Sequence, residues 1–489
     1  MYSFSISQLS NIINGQILKE TNKKINNISI DYNVSKQQDA FFCINSSKYD
    51  VRDGGLGFTN NEDSVFGLGG VQNGHDYIDK VYQDRVKIIV IDDLKYYNES
   101  FNVGWILVDD TFDALKMVAK YCIDHSNTKT IAVTGSVGKT TTCQVLFDTL
   151  SKCINTEIIS SVRNSVLGIC MKLLNTDLEK LDCIIIEMQL DGCNQIKRFC
   201  EIANPDISII TNISFSHYSR FSSVDEIMHE KMYVSEYLKK NGVLIINEDD
   251  EKLCNLKIDR NSNRIIKIGQ YNGDYVSKNI AKYNQLGFLK FDLFIHNTMF
   301  SSVKLNSTGI GVVYATLFSI AVADALGISI DSFVKNDLNA VKNPIGRFNC
   351  FLGVNDSQII VDSYNANIKS MLQGIEYVHN VNKKKKILVL GSMLELGDKT
   401  EILHRQVGKY INDCKDNFII ITFGEAATFI SYEIKCIERK NIYNVYSYDE
   451  IVSVLENIEI DSETIVYIKG SGGMRLELIA PYLLSKRMF

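Results

Sequence analysis

The chain has 489 residues, of which 45% are hydrophobic and 22% are charged. This composition excludes a disordered, collagen-like or coiled-coil protein, and the length predicts about three domains. The 52 basic residues nearly balance the 58 acidic residues, which leaves a formal net charge of −6. The chain therefore lacks the basic surplus of a nucleic-acid-binding protein, and we expect no nucleic-acid partner.

The 12 cysteines are dispersed along the chain and form no CxxC pair, a pattern typical of reduced thiols in the cytoplasm. The N-terminal segment lacks the basic and apolar regions of a secretion signal, and no run of roughly 18 apolar residues occurs. We therefore expect a cytoplasmic protein without membrane insertion.

The first hundred or so residues are irregular, with strand-like segments at 28–30, 40–44 and 87–91. A stretch rich in Gly, Asp and Ser at 45–72 looks inserted between the second and third of these segments. We interpret this stretch as a surface loop, and the alternative is a lid over a substrate.

After residue 128, short β-branched runs alternate with helix-like stretches, which predicts parallel α/β layers. Residues 312–326 predict a buried helix, and turn-forming residues at 343–346 predict a linker. The strands predicted for one sheet are 130–134, 183–188, 207–211 and 243–247, and those for a second sheet are 359–362, 386–390, 418–423 and 464–469.

The strongest functional signal is the segment TGSVGKTTT at 134–142, between a predicted strand and a predicted helix. The N–H groups of such a loop bind phosphate oxygens, its lysine reaches the β- and γ-phosphates, and its hydroxyl holds Mg²⁺. Val133 stands where the general motif has its first glycine. The predicted nucleotide-binding residues of this loop, called the P-loop below, are Gly135, Ser136, Val137, Gly138, Lys139, Thr140 and Thr141.

This P-loop variant resembles that of the Mur ligases and folylpolyglutamate synthases, which use ATP to join a carboxylate to an amine. Glu187, His217 and Lys231 follow it in the order and approximate spacing of that family. The resemblance implies that Thr140, Glu187 and His217 hold two Mg²⁺ ions. It also implies that Lys231 is carbamylated, and that the resulting anion further supports the metal site. Oxygen and imidazole ligands after parallel strands suit this chemistry.

Two further segments resemble nucleotide contacts of the same family. Asn247 in INEDD resembles a nucleotide-base motif, although a simple turn is the alternative. Arg347 in GRF resembles an arginine that contacts the nucleotide phosphates when the domains close, a task suited to a guanidinium fork. Asp362 is implied as an ATP contact, and the implied catalytic residues are Lys139, His217, Lys231 and Arg347.

The motifs DSYNAN at 362–367, GSMLELG at 391–397 and KGS at 469–471 resemble the branch of the family that adds D-alanyl-D-alanine to UDP-N-acetylmuramoyl-tripeptide. NGHDYI at 73–78 agrees with that branch. The implied substrate-binding residues are Asp31, Asn73, Gly74, His75, Asn164, Asn365, Asn367, Lys469 and Ser471.

The resemblance implies an α/β fold of three domains. They are an N-terminal UDP-substrate-binding domain at 1–107, a central ATP-binding P-loop domain on a mainly parallel sheet at 108–341, and a C-terminal Rossmann-like ligase domain at 342–489. The chain is then expected to be a monomeric ligase of peptidoglycan precursor synthesis that acts on a UDP-muramoyl-peptide and a dipeptide through an acyl phosphate.

The chain also departs from the family at positions that contact the nucleotide base and the UDP sugar. Tyr32 and Asn33 replace Ser-Arg, a segment around Gly311 replaces a His-Asn pair, Ser392 replaces an aspartate, and Gly472 replaces an arginine. Two alternatives therefore remain: a related ligase that joins a different carboxylate and amine, as in glycan or natural-product assembly, and a non-catalytic scaffold that binds ATP.

Overall fold

Three β-sheets follow one another along the chain, each with its own helices. The computed structural model describes residues 2–31, 39–45, 73–159, 165–190, 192–214, 221, 223–256, 264–284, 286–336, 338, 341–394 and 396–484. The glycine-rich stretch interpreted as a loop lies, from residue 46 to 72, outside these residues. Within the described ranges, no helix combines the length and the apolar character needed to cross a membrane.

The N-terminal sheet contains the three strands predicted at 28–30, 40–44 and 87–91. Its region comprises α1 (Ile6–Ile12), β1 (Gln16–Lys19), β2 (Ile28–Ser29), β3 (Ala40–Phe42), α2 (Ile78–Gln83), β4 (Ile88–Ile91) and β5 (Gly104–Leu107). The strand order is β1-β5-β4-β3-β2, and only β1 runs antiparallel to its neighbour. β4 is buried along its whole length, as expected for an inner parallel strand.

The central sheet is the largest. Its strands are β6 (Lys129–Thr134), β7 (Thr156–Ile159), β8 (Cys183–Glu187), β9 (Ile207–Ile210), β10 (Val243–Asn247), β11 (Arg264–Gly269), β12 (Tyr275–Lys282), β13 (Leu289–Ile295) and β14 (Thr298–Lys304). They lie in the order β14-β13-β12-β11-β10-β9-β6-β8-β7, and all pairs are parallel except those of β13 with β12 and β14. The four strands predicted for this sheet are confirmed.

Helices cover both faces of the central sheet. They are α3 (Thr111–Asp124), α4 (Lys139–Leu150), α5 (Val166–Leu174), α6 (Gln195–Ala203), α7 (Val224–Glu236), α8 (Glu251–Cys254), α9 (Ile310–Ala325) and α10 (Ile330–Asn336). The predicted buried helix is confirmed as α9, which packs with α4 on one face of the sheet. The apolar residues of α3, α5, α6 and α7 share one core with the N-terminal sheet on the other face.

The C-terminal sheet contains the four strands predicted at 359–362, 386–390, 418–423 and 464–469. Its elements are β15 (Asn349–Leu352), β16 (Gln358–Asp362), α11 (Ile368–His379), β17 (Lys385–Gly391), α12 (Thr400–Cys414), β18 (Phe418–Phe423), α13 (Thr428–Glu433), β19 (Ile442–Val445), α14 (Tyr448–Glu456), β20 (Thr464–Lys469) and α15 (Ala480–Leu483). The order is β15-β16-β20-β17-β18-β19, and only β15 is antiparallel.

The turn between β12 and β13 contacts the C-terminal sheet. The carbonyl oxygen of Leu286 accepts hydrogen bonds from Cys350 Sγ and from Gln358 Nε2, each at 3.2 Å. The central and C-terminal sheets are therefore joined both by the predicted linker at 343–346 and by this turn.

We propose domain boundaries after residues 107 and 341, where the chain leaves one sheet for the next.

Candidate active site

The P-loop connects the carboxyl end of β6 to the start of α4 and is shaped by glycine. Gly135 has φ +145° and Gly138, the N-cap of α4, has φ +89°. Two residues after β9 hold the loop: the carbonyl of Val137 accepts hydrogen bonds from Thr211 Oγ1 at 2.6 Å and Asn212 Nδ2 at 2.7 Å. The sequence analysis missed both residues, although Thr211 ends a predicted strand and Asn212 directly follows it.

The backbone of Gly135 passes so close to Thr211 that no side chain fits. A Cβ atom on Gly135 would lie 1.9 Å from Thr211 Oγ1. We therefore expect Gly135→Ala to lower the free energy of unfolding by about 1–3 kcal/mol, because both overpacking and the positive φ are penalised. Urea unfolding measures this loss.

A matched control is Gly311→Ala at the second residue of α9, where a Cβ atom would meet no atom within 4 Å. Alanine is favoured over glycine in a helix by about 1 kcal/mol, so this variant should be at least as stable as the parent chain. Equal losses in the two variants would contradict the close approach at Gly135.

Two residues from different sheets meet at Thr140, at the start of α4. The Thr140 hydroxyl donates to Glu187 Oε1 at 3.0 Å and accepts from Arg347 Nη2 at 3.1 Å. Lys139 turns back over the P-loop, with Nζ 2.8 Å from the carbonyl oxygen of Gly135. The structure thus places three predicted site residues, Glu187, Arg347 and Lys139, around the same turn of helix.

Arg347 is held in this position by its neighbours. Gly346 and Phe348 on either side have positive φ, +72° and +55°, which bends the chain sharply at the arginine. The guanidinium lies 4.0 Å from the centroid of the Tyr364 ring. Burial lowers the pKa of Arg347, while the nearby carboxylate of Asp362 acts in the opposite direction.

Asp362, at the carboxyl end of β16, fixes the backbone next to that arginine. Its Oδ1 accepts from the N–H of Phe348 at 3.2 Å, and its Oδ2 accepts from Lys469 Nζ at 2.6 Å and from the Tyr467 hydroxyl at 3.0 Å. Burial lowers the pKa of Lys469 and raises that of Tyr467 well above its ordinary value. In this arrangement Lys469 is a partner of Asp362.

A cavity of about 580 Å³ lies between the central and C-terminal sheets. It brings together many of the predicted site residues, namely Ser136, Val137, Gly138, Lys139, Thr140, Thr141, Arg347, Asp362, Asn365, Asn367 and Lys469. Its wall also contains residues that the sequence analysis missed, among them Lys282, Asn343, Gln373, Glu376, Tyr377 and Asn380. These missed residues follow no motif, so only the fold could identify them.

The residues around Thr140 fit a complex of magnesium with a nucleotide. Thr140 and Glu187 provide adjacent oxygen atoms, the kind of ligand that Mg²⁺ prefers. The buried Nε of Arg347 has no hydrogen-bond partner among the described residues, so it is available to a phosphate oxygen. His217 lies outside the described residues, which contain no cluster of three His, Cys, Asp or Glu side chains suited to a metal.

Two other predicted site residues of the central region do not line the cavity. Lys231, on α7, is 0% exposed. Asn247 ends β10, and its side-chain oxygen accepts a hydrogen bond from the N–H of Asp249, which matches the simple turn kept as the alternative. Asn164 lies outside the described residues.

The predicted substrate residues of the N-terminal region have contacts within that region. Asn73 caps a short 3₁₀ helix and contacts His75 Nδ1 at 2.7 Å. On its other side, His75 Nε2 lies 3.3 Å from Asp92 Oδ1. Gly74 packs against the backbone of Cys43, and a Cβ atom on Gly74 would lie 3.0 Å from that backbone. The side chain of Asp31 is buried. These residues do not line the cavity at the P-loop.

Ser471 and His404 have structural partners near the end of β20. The Ser471 hydroxyl oxygen accepts from the N–H of Leu394 at 2.9 Å. His404 is fully buried, accepts from the N–H of Met393 and lies 2.6 Å from the carbonyl oxygen of Thr400. Burial lowers the pKa of His404, which keeps its imidazole neutral in this role.

Comparisons with known protein families agree with this geometry. A model of the Mur ligase middle domain matches residues 133–323, and a model of the Mur ligase glutamate ligase domain matches residues 346–472. The UDP-N-acetylmuramoyl-tripeptide–D-alanyl-D-alanine ligase of Rickettsia prowazekii is 28% identical, over 86% of this chain and 92% of that protein. The ligase of the same name from Haemophilus influenzae is 26% identical, over 98% and 97%.

Solved structures share the fold. The chain matches MurF from Acinetobacter baumannii with a TM-score of 0.82 at 22% identity, over 98% of both chains. It matches MurF from Thermotoga maritima in complex with ADP with a TM-score of 0.77 at 23% identity, over 93% and 96%. A pseudomurein peptide ligase from Methanothermus fervidus gives a TM-score of 0.61 at 19% identity, over 84% and 89%. The predicted three-domain α/β fold is thereby confirmed.

Proposed function

This chain belongs to the Mur ligase family, and on that premise we propose that it is an ATP-dependent ligase that joins D-alanyl-D-alanine to UDP-N-acetylmuramoyl-tripeptide. The observation that carries the proposal is the bridge from Arg347 through Thr140 to Glu187, which brings the C-terminal sheet onto the P-loop. The dispersed spacing of the twelve cysteines, with no CxxC pair, supports a reducing cytoplasmic compartment for this reaction.

The first step activates the substrate carboxylate. A carboxylate oxygen attacks the γ-phosphorus of ATP in line, which forms an acyl phosphate and releases ADP. Lys139, Arg347 and the N–H groups at the start of α4 are placed to stabilise the negative charge on the transferring phosphoryl group. Thr140 and Glu187, with His217 as a third proposed ligand, would hold Mg²⁺, which would supply positive charge to neutralise the phosphates.

The second step forms the amide. The amine attacks the acyl carbon, phosphate leaves, and the amine gives up a proton, so that the amide, phosphate and a proton are the products. Water would hydrolyse the acyl phosphate in an open site. Arg347, just before β15, and Asp362, at the end of β16, line the same cavity as the P-loop, and we propose that they limit the access of water to the intermediate.

We also propose that Lys231 is carbamylated. Lys231 is fully buried on α7, and a carbamate there would be an anion suited to a neighbouring cation, as the family resemblance implies. We expect Lys231→Ala to lose activity by at least about a hundredfold and to regain part of it in acetate or propionate, which can occupy the place of the carbamate. Ligation rates with and without these acids measure the effect.

The control for this rescue is Lys139→Ala, which the same acids should leave inactive because they cannot replace a cation. If Lys231→Ala gains nothing from the acids, or if both variants gain equally, the carbamylation proposal is wrong.

The overall proposal is tested by phosphate release from MgATP with the purified chain. UDP-muramoyl-tripeptide and D-alanyl-D-alanine are added separately and then together. Release that requires both substrates, with formation of the UDP-muramoyl-pentapeptide, supports the proposal. ATP binding without release on addition of both contradicts it.

A second candidate is a ligase of the same chemistry that joins another carboxylate and amine. It is favoured by the departures from the family at Tyr32, Asn33 and Gly472, which belong to the set that falls on nucleotide-base and UDP-sugar contacts and leaves the phosphate-binding motif intact. A screen of alternative carboxylate and amine pairs in the same phosphate-release assay distinguishes it from the first candidate. The scaffold alternative requires ATP binding with no turnover for any pair.

A further inference from the structure

Tyr364 lies in the loop that follows β16, between Asp362 and Asn365, which both line the cavity. The Tyr364 side chain is 53% exposed, so its ring is not part of the core of the C-terminal sheet. The ring nevertheless lies against a charged group, because Cζ of Arg347 is 4.0 Å from the ring centroid. This contact is independent of the core, and Tyr364 can be replaced without opening a buried cavity.

The Tyr364 ring constrains the guanidinium of Arg347 without using its donors. A planar guanidinium stacks on an aromatic face and keeps its N–H groups, which lie in its own plane, for acceptors. Nη2 of Arg347 donates to Thr140 at 3.1 Å, and Nε, which has no partner among the described residues, is left for a phosphate oxygen. The direction of both donors therefore depends on the contact with the ring.

The backbone of Tyr364 is joined to the bend that carries Arg347. The N–H of Tyr364 donates to the carbonyl oxygen of Gly346 at 3.0 Å, and the N–H of Phe348 donates to Asp362 Oδ1 at 3.2 Å. The loop after β16 thus holds the residue before Arg347 and the residue after it. The side chain of Tyr364 completes this arrangement, because it reaches the guanidinium itself.

Two side-chain hydrogen bonds keep the loop after β16 in place. Ser363 Oγ donates to Glu477 Oε2 at 3.0 Å, and Lys469 Nζ donates to the carbonyl oxygen of Asn365 at 3.1 Å. Both partners come from β20 and the segment that follows it. Because the residues on each side of Tyr364 are bonded to the same part of the chain, the ring stands on a rigid support.

Gly472 leaves room for the backbone of Tyr364. A Cβ atom on Gly472 would lie 2.7 Å from the carbonyl oxygen of Tyr364, closer than such atoms normally approach. Position 472 is also one of the places where this chain departs from the family motif, which has an arginine there. An added side chain at this position must push the Tyr364 peptide away, and the ring moves with it.

We propose that Tyr364 is a positioning residue, which holds the guanidinium of Arg347 toward Thr140 and the phosphates, and that glycine at 472 is required for this placement. The inference rests on the proposed function and deepens it, because it names the side chain that orients the phosphate-binding arginine. It also gives the departure at 472 a structural reason.

The test combines the affinity for MgATP, from calorimetric titration of the full chain, with the kcat of ligation. Tyr364→Leu should lower kcat by about tenfold and MgATP affinity by about threefold, the loss expected for one cation–π contact. Tyr364→Phe keeps the ring and should stay within about twofold of the parent chain in both quantities. In the Arg347→Ala chain, Tyr364→Leu should cause no further loss, because the group that it positions is gone.

Gly472→Ala should reproduce part of this loss, about threefold in kcat, because it moves Tyr364. The matched control is Gly473→Ala in the same turn. A Cβ atom on Gly473 would lie 3.1 Å from Cδ1 of Leu394, the end of a side chain that is 45% exposed and can move aside. This control should therefore keep the kcat of the parent chain, and melting temperatures verify the folding of every variant.

The outcomes separate the two levels of the proposal. If the parent chain does not bind MgATP, the proposed function is wrong and the inference falls with it. A parent chain that binds MgATP without ligating the two proposed substrates contradicts the proposed function, while the MgATP affinities still decide the role of Tyr364.

The role of Tyr364 alone is overturned if Tyr364→Leu matches the parent chain in both quantities. It is also overturned if Tyr364→Leu causes the same loss in the Arg347→Ala chain as in the parent chain, because the effect then does not pass through Arg347. Equal kcat values for Gly472→Ala and Gly473→Ala overturn the role of Gly472.

Discussion

Lys139→Ala is expected to lower the kcat of ATP-dependent amide formation by about a thousandfold or more. Lys139 is the first residue of α4, and its ammonium group lies over the P-loop, 2.8 Å from the carbonyl oxygen of Gly135. Its removal takes a full positive charge from the place where phosphoryl charge develops. Loss of one uncharged preorganised donor already costs about 2.7–4 kcal/mol, so loss of this charged donor is expected at or above the upper end of that range. Steady-state kinetics with both substrates measure the change.

The fold should survive this substitution, because Lys139 is half-buried and the loop is held by the backbone contacts of Val137 with Thr211 and Asn212. Lys335→Ala is a suitable control, since this lysine forms an exposed pair with Asp331 on α10, and such pairs contribute little. A Lys139→Ala enzyme with near-normal kcat would contradict the assignment of the P-loop.

Arg347→Ala should produce the second largest effect, a loss of about a hundredfold to a thousandfold in kcat. Arg347 is the side chain through which the C-terminal sheet contacts Thr140, and its buried Nε has no partner among the described residues. We expect Arg347→Lys to recover only part of the rate, because lysine keeps the charge but lacks the planar fork. Kinetics at saturating ATP separate the loss of kcat from a change in KM.

Arg405→Ala is the matched control for Arg347. Arg405 also lies over an aromatic ring of the C-terminal sheet region, that of Phe429 at 5.7 Å, but it pairs with Glu401 at the surface. Its substitution should leave kcat within about twofold. If Arg347→Ala raised only the KM for ATP and left kcat unchanged, the role of Arg347 in the chemical step would be refuted.

Most inner strands with continuous apolar runs could be predicted from the sequence, whereas the more polar strands β12 and β14 could not. β6, β8, β9 and β10 of the central sheet, and β17 and β18 of the C-terminal sheet, are inner strands whose β-branched runs reflect burial on both faces. β12 and β14 carry many exposed polar residues, so no apolar run marks them. Their position depends on pairing with β13, a contact that the local pattern does not contain.

The residues of the candidate active site also fall into those that the sequence could predict and those that it could not. The P-loop, Glu187 and Arg347 belong to motifs, and the structure brings them together at Thr140. Lys282 and Tyr377 are far apart in sequence and become neighbours only because the turn after β12 contacts the C-terminal sheet. Residues that act through such long-range proximity carry no signature in a single sequence.

The bond between Leu286 and the C-terminal sheet has a kinetic consequence. Separation of the two walls of the cavity breaks the contacts of Leu286 with Cys350 and Gln358 as well as that of Arg347 with Thr140. Under the proposed function, this turn would therefore add to the barrier against ADP release although it lies outside the P-loop. Shortening the turn should then speed the opening of the cavity.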